Sequence, residues 1–511
     1  MPKVDRPLHG RRVAVVGAGI AGLTSAWRLA QAGADVHVLE ASERPFGAFK
    51  SVLEDGWAME LGPNTMPDRA FVLTDIIDEL GIHAQQVRPR EEANTRFVLR
   101  DGALVCLPRS PQEFVSSGFL SPLAKVRLFA EAALPRFDEP EVDESLGNFI
   151  RRRFGEEVLD YAIDPFVAGT YAGNPNQLSA QHVLGGVLKE FEEQYGSVLR
   201  GGIARAAAGA NAAPRPSRPG RKNGALINFR GGVQTLAQAM LDALGAERLT
   251  VGARVSALHQ HSGGRWTVRA QTQGGEHFED VDGVVLAVPA YAVPHLEIRD
   301  ARGHAVDTSA FGAIEYPPIT LLSMGFREQD VKHPLDGFGL LVPEVEGRDI
   351  LGAAFVSSIF EGRAPEGCVL MTVFIGGSRQ PELSRLGHQE KVELALDELD
   401  VMLGVRGRPV VTRSRSWERA IPQYEVGYDR ILSGVEDAVA QTQNMVLTGN
   451  YLTGISVSDT ISNAERAAQR MASSLHPSFE EELAERRRAT HRRKLERRAH
   501  TASRRNASNS G

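Results

Sequence analysis

The stretch Val13-Ala-Val-Val-Gly17-Ala-Gly19-Ile-Ala-Gly22, followed one helix length later by Val36-His-Val-Leu-Glu40, indicates the fold of this chain. Its apolar start predicts a buried strand, and the glycines predict a tight turn that opens a helix. Gly17 suits such a turn, Gly19 lets a pyrophosphate approach backbone amides, and Gly22 lets the helix pack against the strand. The pattern therefore predicts a Rossmann-like unit that binds a dinucleotide.

Glu40 ends the second predicted strand, where a carboxylate can accept hydrogen bonds from an adenosine ribose. The helix N-terminus after the glycines carries unpaired N–H groups and a partial positive charge, and both favour a phosphate. The residues predicted to surround the adenine half of the dinucleotide are Gly17, Ala18, Gly19, Ile20, Ala21, Gly22, Glu40 and Ala41.

Two later segments favour FAD over NAD. Arg44 and the loop Gly47–Ser51 follow the acidic residue and suit a second phosphate region. Near the far end of the chain, Leu447–Val457 contains two glycines and opens a last predicted helix. A second helix N-terminus at the same sheet suits a cofactor longer than its adenine half. An ordinary strand–helix turn is the alternative interpretation of this last segment.

Composition limits the class of protein. The 511 residues are 42% apolar and 24% charged, which is typical of globular domains and excludes disorder or a fibrous repeat for most of the chain. Two cysteines, Cys106 and Cys368, cannot form a disulfide framework or a structural zinc site, so we predict a reducing, cytoplasmic setting. No metal site is predicted.

Charge and hydropathy exclude other classes. The N-terminus lacks the apolar core of a signal peptide, and no apolar run is long enough to span a membrane. Net charge is −6, but Arg486–Arg505 holds ten Lys or Arg and one Glu. Because no aromatic residues lie among these cations to stack on bases, we predict no nucleic-acid partner. A solvated tail and a contact with anionic lipid both stay open.

Several motifs between residues 10 and 474 resemble the oxygen-dependent protoporphyrinogen oxidases and their coproporphyrinogen-oxidising relatives, within the FAD-dependent amine oxidase superfamily. The most specific is Asp164–Pro175. The others are Glu60–Thr65, Arg96–Leu104, Gly337–Pro343, Phe374–Arg379, Trp417 with Ala420–Tyr424, and the turn at 449–461.

The resemblance implies an enzyme of haem biosynthesis that oxidises protoporphyrinogen IX to protoporphyrin IX. Flavin N5 takes hydride from a bridging carbon, and O2 reoxidises the flavin to give hydrogen peroxide. No cysteine lies near the C-terminal turn, so the FAD should be non-covalent. Oxidation of coproporphyrinogen III and a non-catalytic flavin- or porphyrin-binding role are the alternatives. An amine oxidase or a carotenoid desaturase would share parts of the fold.

The same resemblance assigns site residues. Arg96 should hold a substrate propionate, because a guanidinium binds a carboxylate with two parallel hydrogen bonds. Leu341 and Phe374 should clamp the macrocycle, and Gly169 and Ala354 should line the pocket. Asn64 is a candidate to stabilise developing charge; no catalytic acid–base pair is evident. Further predicted FAD contacts are Ala48, Gly62, Pro63, Asn64, Thr65, Val255, Asn450, Ile455, Ser456 and Val457.

The chain departs from the family pattern at two positions. Phe46 stands where most members carry the first of two glycines, so its phenyl group must point away from the cofactor or the loop must be reshaped. Ala354 stands where relatives often have leucine, which predicts a roomier pocket. Arg100, Arg109 and Lys189 are cations without a predicted place. With few pocket cations, the two-propionate protoporphyrinogen is favoured over the four-propionate substrate.

The predicted architecture is an α/β fold with a discontinuous Rossmann-like FAD-binding domain, a mixed-sheet substrate domain and a helical, membrane-facing subdomain. Residues Pro108–Phe137 either rest on a membrane or pack into the core of their own subdomain. We expect a cytoplasmic protein, soluble or peripheral on the membrane; a homodimer is left open. The predicted segments are 1–92, 224–292 and 440–476 (FAD); 93–107 and 293–439 (substrate); 108–199 (helical); 200–223 (low-complexity loop); and 477–511 (basic tail).

Overall fold

The structure is a computed structural model that describes residues 7–134, 143–211 and 224–479. The described strands are β1 (Arg12–Val16), β2 (Asp35–Leu39), β3 (Ser51–Glu54), β4 (Trp57–Glu60), β5 (Met66–Pro67), β6 (Gln86–Val87), β7 (Arg96–Arg100), β8 (Ala103–Cys106), β9 (Leu226–Phe229), β10 (Leu249–Thr250), β11 (Arg254–Gln260), β12 (Trp266–Thr272), β13 (Gly275–Val281), β14 (Gly283–Leu286), β15 (Glu297–Arg299), β16 (Ile319–Arg327), β17 (Gly339–Leu341), β18 (Gly352–Ala354), β19 (Cys368–Gly376), β20 (Val411–Trp417) and β21 (Met445–Leu447).

The described α-helices are α1 (Ile20–Gln31), α2 (Val72–Leu80), α3 (Pro111–Ser116), α4 (Pro122–Ala130), α5 (Leu146–Phe154), α6 (Glu156–Val158), α7 (Asp164–Tyr171), α8 (Val187–Tyr195), α9 (Val198–Asn211), α10 (Gln234–Leu244), α11 (Ser309–Gly312), α12 (Val356–Ile359), α13 (His388–Leu403), α14 (Tyr428–Ala440) and α15 (Val457–Leu475).

A parallel sheet with the strand order β10-β2-β1-β14-β21 forms the dinucleotide-binding part. Its strands come from three separated regions of the chain, and β1 pairs in parallel with both β2 and β14. Val13 and Val15 face a layer that includes α1, α10 and α15, whereas Ala14 and Val16 face the opposite side. Because both faces are covered, the strands are almost continuously apolar, as the sequence predicts.

The opposite side of this sheet is covered by a mainly antiparallel layer, in which β11 and β15 pair in parallel. Its strand order is β13-β12-β11-β15, and Trp266 of β12 packs with Val16 and Leu286 of the parallel sheet. Two small sheets, β3-β4 and β5-β9-β6, lie among the other elements. Because β1 and β2 are parallel, their carboxyl ends lie at the same edge of the parallel sheet. Ligands of open α/β sheets bind at this edge.

A seven-stranded mixed sheet forms the second large unit, in the order β20-β16-β19-β18-β17-β7-β8. Most pairs are antiparallel, but β17 pairs in parallel with β7. Helix α13 packs on one face, where Leu399 and Met402 join Leu322 and Val373 in a buried cluster. The structure therefore shows an α/β fold with mixed sheets, and the other face of this sheet carries Leu321, Ala354 and Phe374.

Helices α3 to α9 form a helical region with its own buried cluster, which includes Phe119, Leu120, Phe149 and Ile150. The predicted low-complexity loop is wrong over residues 200–211, which belong to α9. Alanines are the best helix formers, and the carboxylate of Glu131 accepts the first free N–H groups of this helix, so the segment is helical despite its composition.

Parts of four predicted segments lie outside the described residues, namely 1–6 of the FAD segment, 135–142 of the helical segment, 212–223 of the loop and 480–511 of the basic tail. Among the helices of the described part, none is both long enough and apolar enough to cross a membrane.

Candidate functional site

The glycine turn after β1 has the geometry that a bound pyrophosphate requires. Gly17 has a φ of +103°, and a Cβ there would lie 2.8 Å from the carbonyl oxygen of Ala287. A Cβ on Gly22 would lie 1.9 Å from the oxygen of Gly17, so α1 packs directly on the turn. A Cβ on Gly19 would meet no atom within 4 Å. The space beside Gly19 is therefore open at the N-terminus of α1, as phosphate binding needs.

Glu40 is fixed beside this turn. Its Oε2 accepts the N–H of Ala18 at 2.8 Å, and its Oε1 accepts the N–H of Ser42 at 2.9 Å. The backbone N–H of Ala253 donates to the backbone carbonyl oxygen of Glu40 at 2.8 Å. This contact holds the start of β11, with its residue Val255, next to Glu40. The structure thus brings together the residues predicted for the adenosine end.

Phe46 lies in the loop that follows Glu40, with its side chain only 4% exposed. The phenyl ring is buried in the same core cluster as Leu23 and Val38, and none of its atoms lies within 4 Å of a Cβ built on Gly19. The backbone keeps the conformation of a glycine, because φ is +83°. Gly47 has a φ of +54°, and a Cβ there would lie 3.3 Å from the Cα of Gly19. The loop therefore follows the path of a Gly-Gly pair although its first residue is aromatic.

Three cations gather around this loop. Burial lowers the pKa of Lys50, and the positive charges of Arg415 and Arg44 lower it further. Burial and the charge of Arg44 also lower the pKa of Arg415, whose guanidinium stacks on Trp417 at 3.9 Å from the ring centre. None of the three forms an ion pair within the described residues. A bound pyrophosphate would supply the missing negative charge. Sequence spacing does not indicate Arg415, because this residue lies about 370 positions from the loop along the chain.

The turn Gly62–Thr65 is held tightly against the same loop. A Cβ on Gly62 would lie 1.8 Å from the oxygen of Ala48, so only glycine fits there. Asn228 donates to the oxygen of Asn64 at 2.8 Å and to the buried carboxylate of Glu60 at 3.1 Å. Burial raises the pKa of Glu60. Pro63 and Thr65 lie within this anchored turn.

The C-terminal turn is built as a helix cap. Ser456 caps α15 and exchanges hydrogen bonds with Asp459, which leaves the following helix N-terminus beside the turn. Asn463 donates to the oxygen of Gly449 at 3.2 Å, and the hydroxyl of Tyr424 donates to the oxygen of Asn450. Ser458 donates to the oxygen of Pro67, which follows the 62–65 turn. The predicted contacts Ile455 and Val457 flank the cap.

The predicted substrate-binding residues meet on the mixed sheet. In the register of β7, β17, β18 and β19, Arg96 pairs with Gly339, Leu341 pairs with Gly352, and Gly352 pairs with Phe374. A Cβ on Gly169 would lie 2.6 Å from Leu341 Cδ2, so α7 touches this wall. Ala354 pairs with Thr372, whose hydroxyl lies 3.4 Å from Asn64 Oδ1. The wall and the 62–65 turn are therefore adjacent.

Arg96 is exposed and stacks on Phe338, with its guanidinium carbon 4.8 Å from the ring centre. Partial burial lowers its pKa. It forms no ion pair with any residue that the structure describes. The other candidate cations are paired: Arg100 with Glu157 at 2.8 Å, Lys189 with Glu144 at 3.1 Å, and Arg109 with Glu113 at 3.8 Å. Arg96 alone of these four is available to an anionic ligand.

One residue of the most specific motif has a structural role that the sequence did not indicate. Asp164 pairs with the guanidinium of Arg379 and accepts the N–H of Glu344 at 2.8 Å. Arg379 also donates to the oxygen of Val342 at 2.7 Å. These contacts tie α7 to the end of β17 and hold Gly169 against the wall.

These features fit FAD. The open space at Gly19 and the cations Arg44, Lys50 and Arg415 suit its phosphates, and the N-terminus of α15 lies beside the turn predicted for its far end. The two cysteines, Cys106 and Cys368, lie on β8 and β19.

Comparisons with known proteins agree with this geometry. The family model described as "Flavin containing amine oxidoreductase" matches residues 20–472. Protoporphyrinogen oxidase 2 (chloroplastic/mitochondrial) of Arabidopsis thaliana is 32% identical over 92% of this chain and 95% of its own length. Coproporphyrinogen III oxidase of Staphylococcus aureus is 25% identical over 91% of this chain and 100% of its own. Cyclohexylamine oxidase of Brevibacterium oxydans has the same fold, with a TM-score of 0.64 at 15% identity, covering 91% of this chain and 99% of that one.

Proposed function

This chain belongs to the flavin-containing amine oxidoreductase family, and from that premise we propose that it oxidises protoporphyrinogen IX to protoporphyrin IX with O2 as the electron acceptor. The predicted family, the predicted FAD and the prediction of an oxidoreductase are confirmed by the comparisons. Relatives at 32% identity that carry the name protoporphyrinogen oxidase support the choice of substrate.

One observation carries the proposal. Arg96 has no anionic partner in the described structure, and it lies beside an apolar wall that reaches the 62–65 turn. A planar substrate with a propionate at one edge matches that arrangement. The guanidinium would hold the carboxylate, and Leu341 and Phe374 would pack against the macrocycle. Ala354 leaves room at the centre of the wall.

Bound FAD supplies a two-electron acceptor for a bridging carbon of the porphyrinogen. The protein's own contribution is positioning, because the wall and Arg96 fix the macrocycle relative to the 62–65 turn. Asn64 can orient its amide dipole towards charge that develops on the macrocycle. Glu60 and Asn228 act through Asn64 and are positioning residues. The assigned site residues and the domain boundaries given above are part of this proposal.

The ion pairs that Arg100 and Lys189 form with carboxylates of the protein favour the substrate with two propionates. Arg100 and Lys189 are engaged with carboxylates, so each further propionate of coproporphyrinogen III would need a partner that these two cations do not offer. To test this, each porphyrinogen is prepared without oxygen and porphyrin fluorescence is followed after air is admitted. Faster oxidation of protoporphyrinogen IX is expected. Faster oxidation of coproporphyrinogen III would replace the substrate, and no oxidation of either would overturn the enzyme proposal.

We also propose that the helical region rests on a membrane. Phe119 and Leu120 pack into its core, but Leu123 on α4 is 79% exposed. The other exposed apolar side chains of α3 and α4 are Val115, Val126 and Phe129. Single exposed apolar residues are common on protein surfaces, but four on two consecutive helices suit contact with a membrane. A membrane is also where an apolar substrate would be found.

A vesicle experiment tests this contact. The protein should sediment with vesicles of phosphatidylcholine and phosphatidylglycerol, and Leu123→Asp should reduce the bound fraction. Leu53→Asp is the matched control, because Leu53 is an exposed leucine on β3. Equal binding by both variants would contradict the membrane contact. Cytoplasmic location and a homodimer stay predictions, and light scattering of the purified protein tests the latter.

A further inference from the structure

Two histidines and a glutamate meet between the two layers of the dinucleotide-binding part. His37 comes from β2, and His277 and Glu279 come from β13, two residues apart on the same face of the strand. His37 Nδ1 lies 2.8 Å from Glu279 Oε2, and His277 Nε2 lies 4.0 Å from the same oxygen. One ligand atom of each residue lies within 4.8 Å of the others. None of the three belongs to the proposed porphyrinogen site.

The surroundings of His37 are those of a metal ligand. Its Nε2 lies 2.9 Å from the hydroxyl oxygen of Thr250, which can accept the N–H and leave Nδ1 unprotonated. Histidines that bind metals almost always make such a hydrogen bond through the other ring nitrogen. The two imidazoles approach edge to face, with ring centres 6.1 Å apart.

Glu279 gives an independent indication. Its side chain is 6% exposed, and its Oε1 is buried with no hydrogen-bond partner in the described structure. A buried carboxylate oxygen without a partner costs free energy. A cation bound between this carboxylate and the histidines would compensate that cost, whereas the pair with His37 uses only Oε2.

We propose that His37, His277 and Glu279 form a binding site for Zn²⁺. Two imidazoles and one carboxylate are a ligand set that zinc uses with water in a fourth, open position. Ligand atoms of a tetrahedral zinc site lie about 3.4 Å apart. The ligand atoms of His37, His277 and Glu279 lie within 4.8 Å of one another, so small side-chain rotations would bring them to that spacing. The side chain of His277 is 44% exposed, which gives the ion a path from solvent.

The bound ion would connect β2 to β13 and so join the parallel sheet to the antiparallel layer. His37 lies three residues before Glu40, which is fixed beside the cofactor turn. The effect should therefore be on the stability of the dinucleotide-binding part, since metal-binding free energy adds to the stability of the folded state. Sequence patterns cannot show the site, because His37 and His277 are 240 residues apart.

The test uses tag-free, FAD-loaded protein that is treated with a chelator, dialysed and titrated with ZnCl2. About one Zn²⁺ per chain should bind, and Tm should rise with the zinc concentration. His277→Gln and Glu279→Gln should each weaken binding by about tenfold or more and remove the rise in Tm. His304→Gln is the control, because His304 also faces a carboxylate, that of Asp300, but belongs to no cluster of metal-ligating side chains within the described residues.

Thr250→Val separates a metal site from a simple His37–Glu279 ion pair. It should weaken zinc binding about tenfold, because it removes the acceptor that orients His37. Three results would overturn the proposal: no stoichiometric binding by the wild type, binding that His277→Gln and Glu279→Gln leave unchanged, or an equal loss in His304→Gln. The last two would assign the bound zinc to histidines elsewhere in the chain.

Discussion

The backbone N–H of Phe46 donates a hydrogen bond of 2.8 Å to the carbonyl oxygen of Ala18. This contact joins the 44–50 loop to the glycine turn that opens α1. It forms although Phe46 has a φ of +83°, a conformation that costs about 1–2 kcal/mol for a residue with a side chain. The buried phenyl ring offsets that cost, and the loop keeps the path of a glycine pair.

Replacement of Phe46 by glycine should therefore destabilise the protein. Removal of a buried phenyl group costs about 3–5 kcal/mol, and relief of the backbone strain returns about 1–2 kcal/mol. We expect the free energy of unfolding to fall by about 2 kcal/mol in urea denaturation. FAD affinity, measured by flavin fluorescence, should change little because the loop path suits glycine. A more stable variant would show that the phenyl ring contributes less than its burial indicates.

Substitution of Gly19 should separate cofactor binding from folding. Because a Cβ there meets no protein atom within 4 Å, Gly19→Val should fold but lose the yellow colour, since the side chain would occupy the place of the pyrophosphate. Circular dichroism and flavin absorbance measure the two effects. Gly22→Val is the comparison: its Cβ would lie 1.9 Å from Gly17 oxygen, so Tm should fall by more than about 5 °C. Full flavin content in Gly19→Val would refute the assignment of the turn.

Removal of the Arg96 side chain should affect substrate binding more than turnover. Arg96→Ala loses one charge-assisted contact that ground state and transition state share, so KM should rise about tenfold with little change in kcat. Arg109→Ala is the matched control, because Arg109 is an exposed arginine whose partner is Glu113. Steady-state oxidation of protoporphyrinogen IX measures both. Equal losses in kcat and kcat/KM would place Arg96 in the chemical step instead.

The sequence predicted the parts of the site that depend on local pattern. The glycine turn that opens a helix, the second strand before Glu40 and the last helix at the end of Leu447–Val457 each follow from residues close in the chain, and the structure has α1, β2 and α15 there. For Phe46 the sequence left two outcomes open, a phenyl group that points away from the cofactor or a reshaped loop. The burial of Phe46 depends on core residues such as Leu23 and Val38, which sequence spacing does not bring together.

Other features arise only from tertiary contacts. Arg415 reaches the cofactor loop because β20 pairs with β16 in the mixed sheet, and no local signal marks it. Helix α9 was predicted as a loop because its glycine and arginine content outweighed its alanines. Its first turn is stabilised by Glu131, which lies more than 60 residues earlier in the chain.

Glu131 should contribute strongly to the stability of the helical region. It is fully buried, pairs with Arg153, and accepts hydrogen bonds from Ser197 at 2.6 Å and from the backbone of Val198 and Leu199. Glu131→Gln should lower the free energy of unfolding by about 3 kcal/mol at pH 7, because it breaks a buried pair. Glu156→Gln is the control, since Glu156 pairs with Arg151 at the surface and should cost less than about 1 kcal/mol.

The effect of Glu131 should depend on pH in a defined direction. Burial alone would raise the pKa of Glu131, but the hydrogen bonds from Ser197, Leu199, Val198 and Arg153 outweigh it and hold the pKa below its ordinary value. A carboxyl with a lowered folded-state pKa stabilises the fold above its unfolded pKa of about 4.3, and this stabilisation is lost as pH falls through the folded-state value. The difference in unfolding free energy between wild type and Glu131→Gln should therefore stay constant from pH 7 to about 5 and shrink at lower pH. Urea denaturation at several pH values measures it, and a difference that grows on acidification would contradict the lowered pKa.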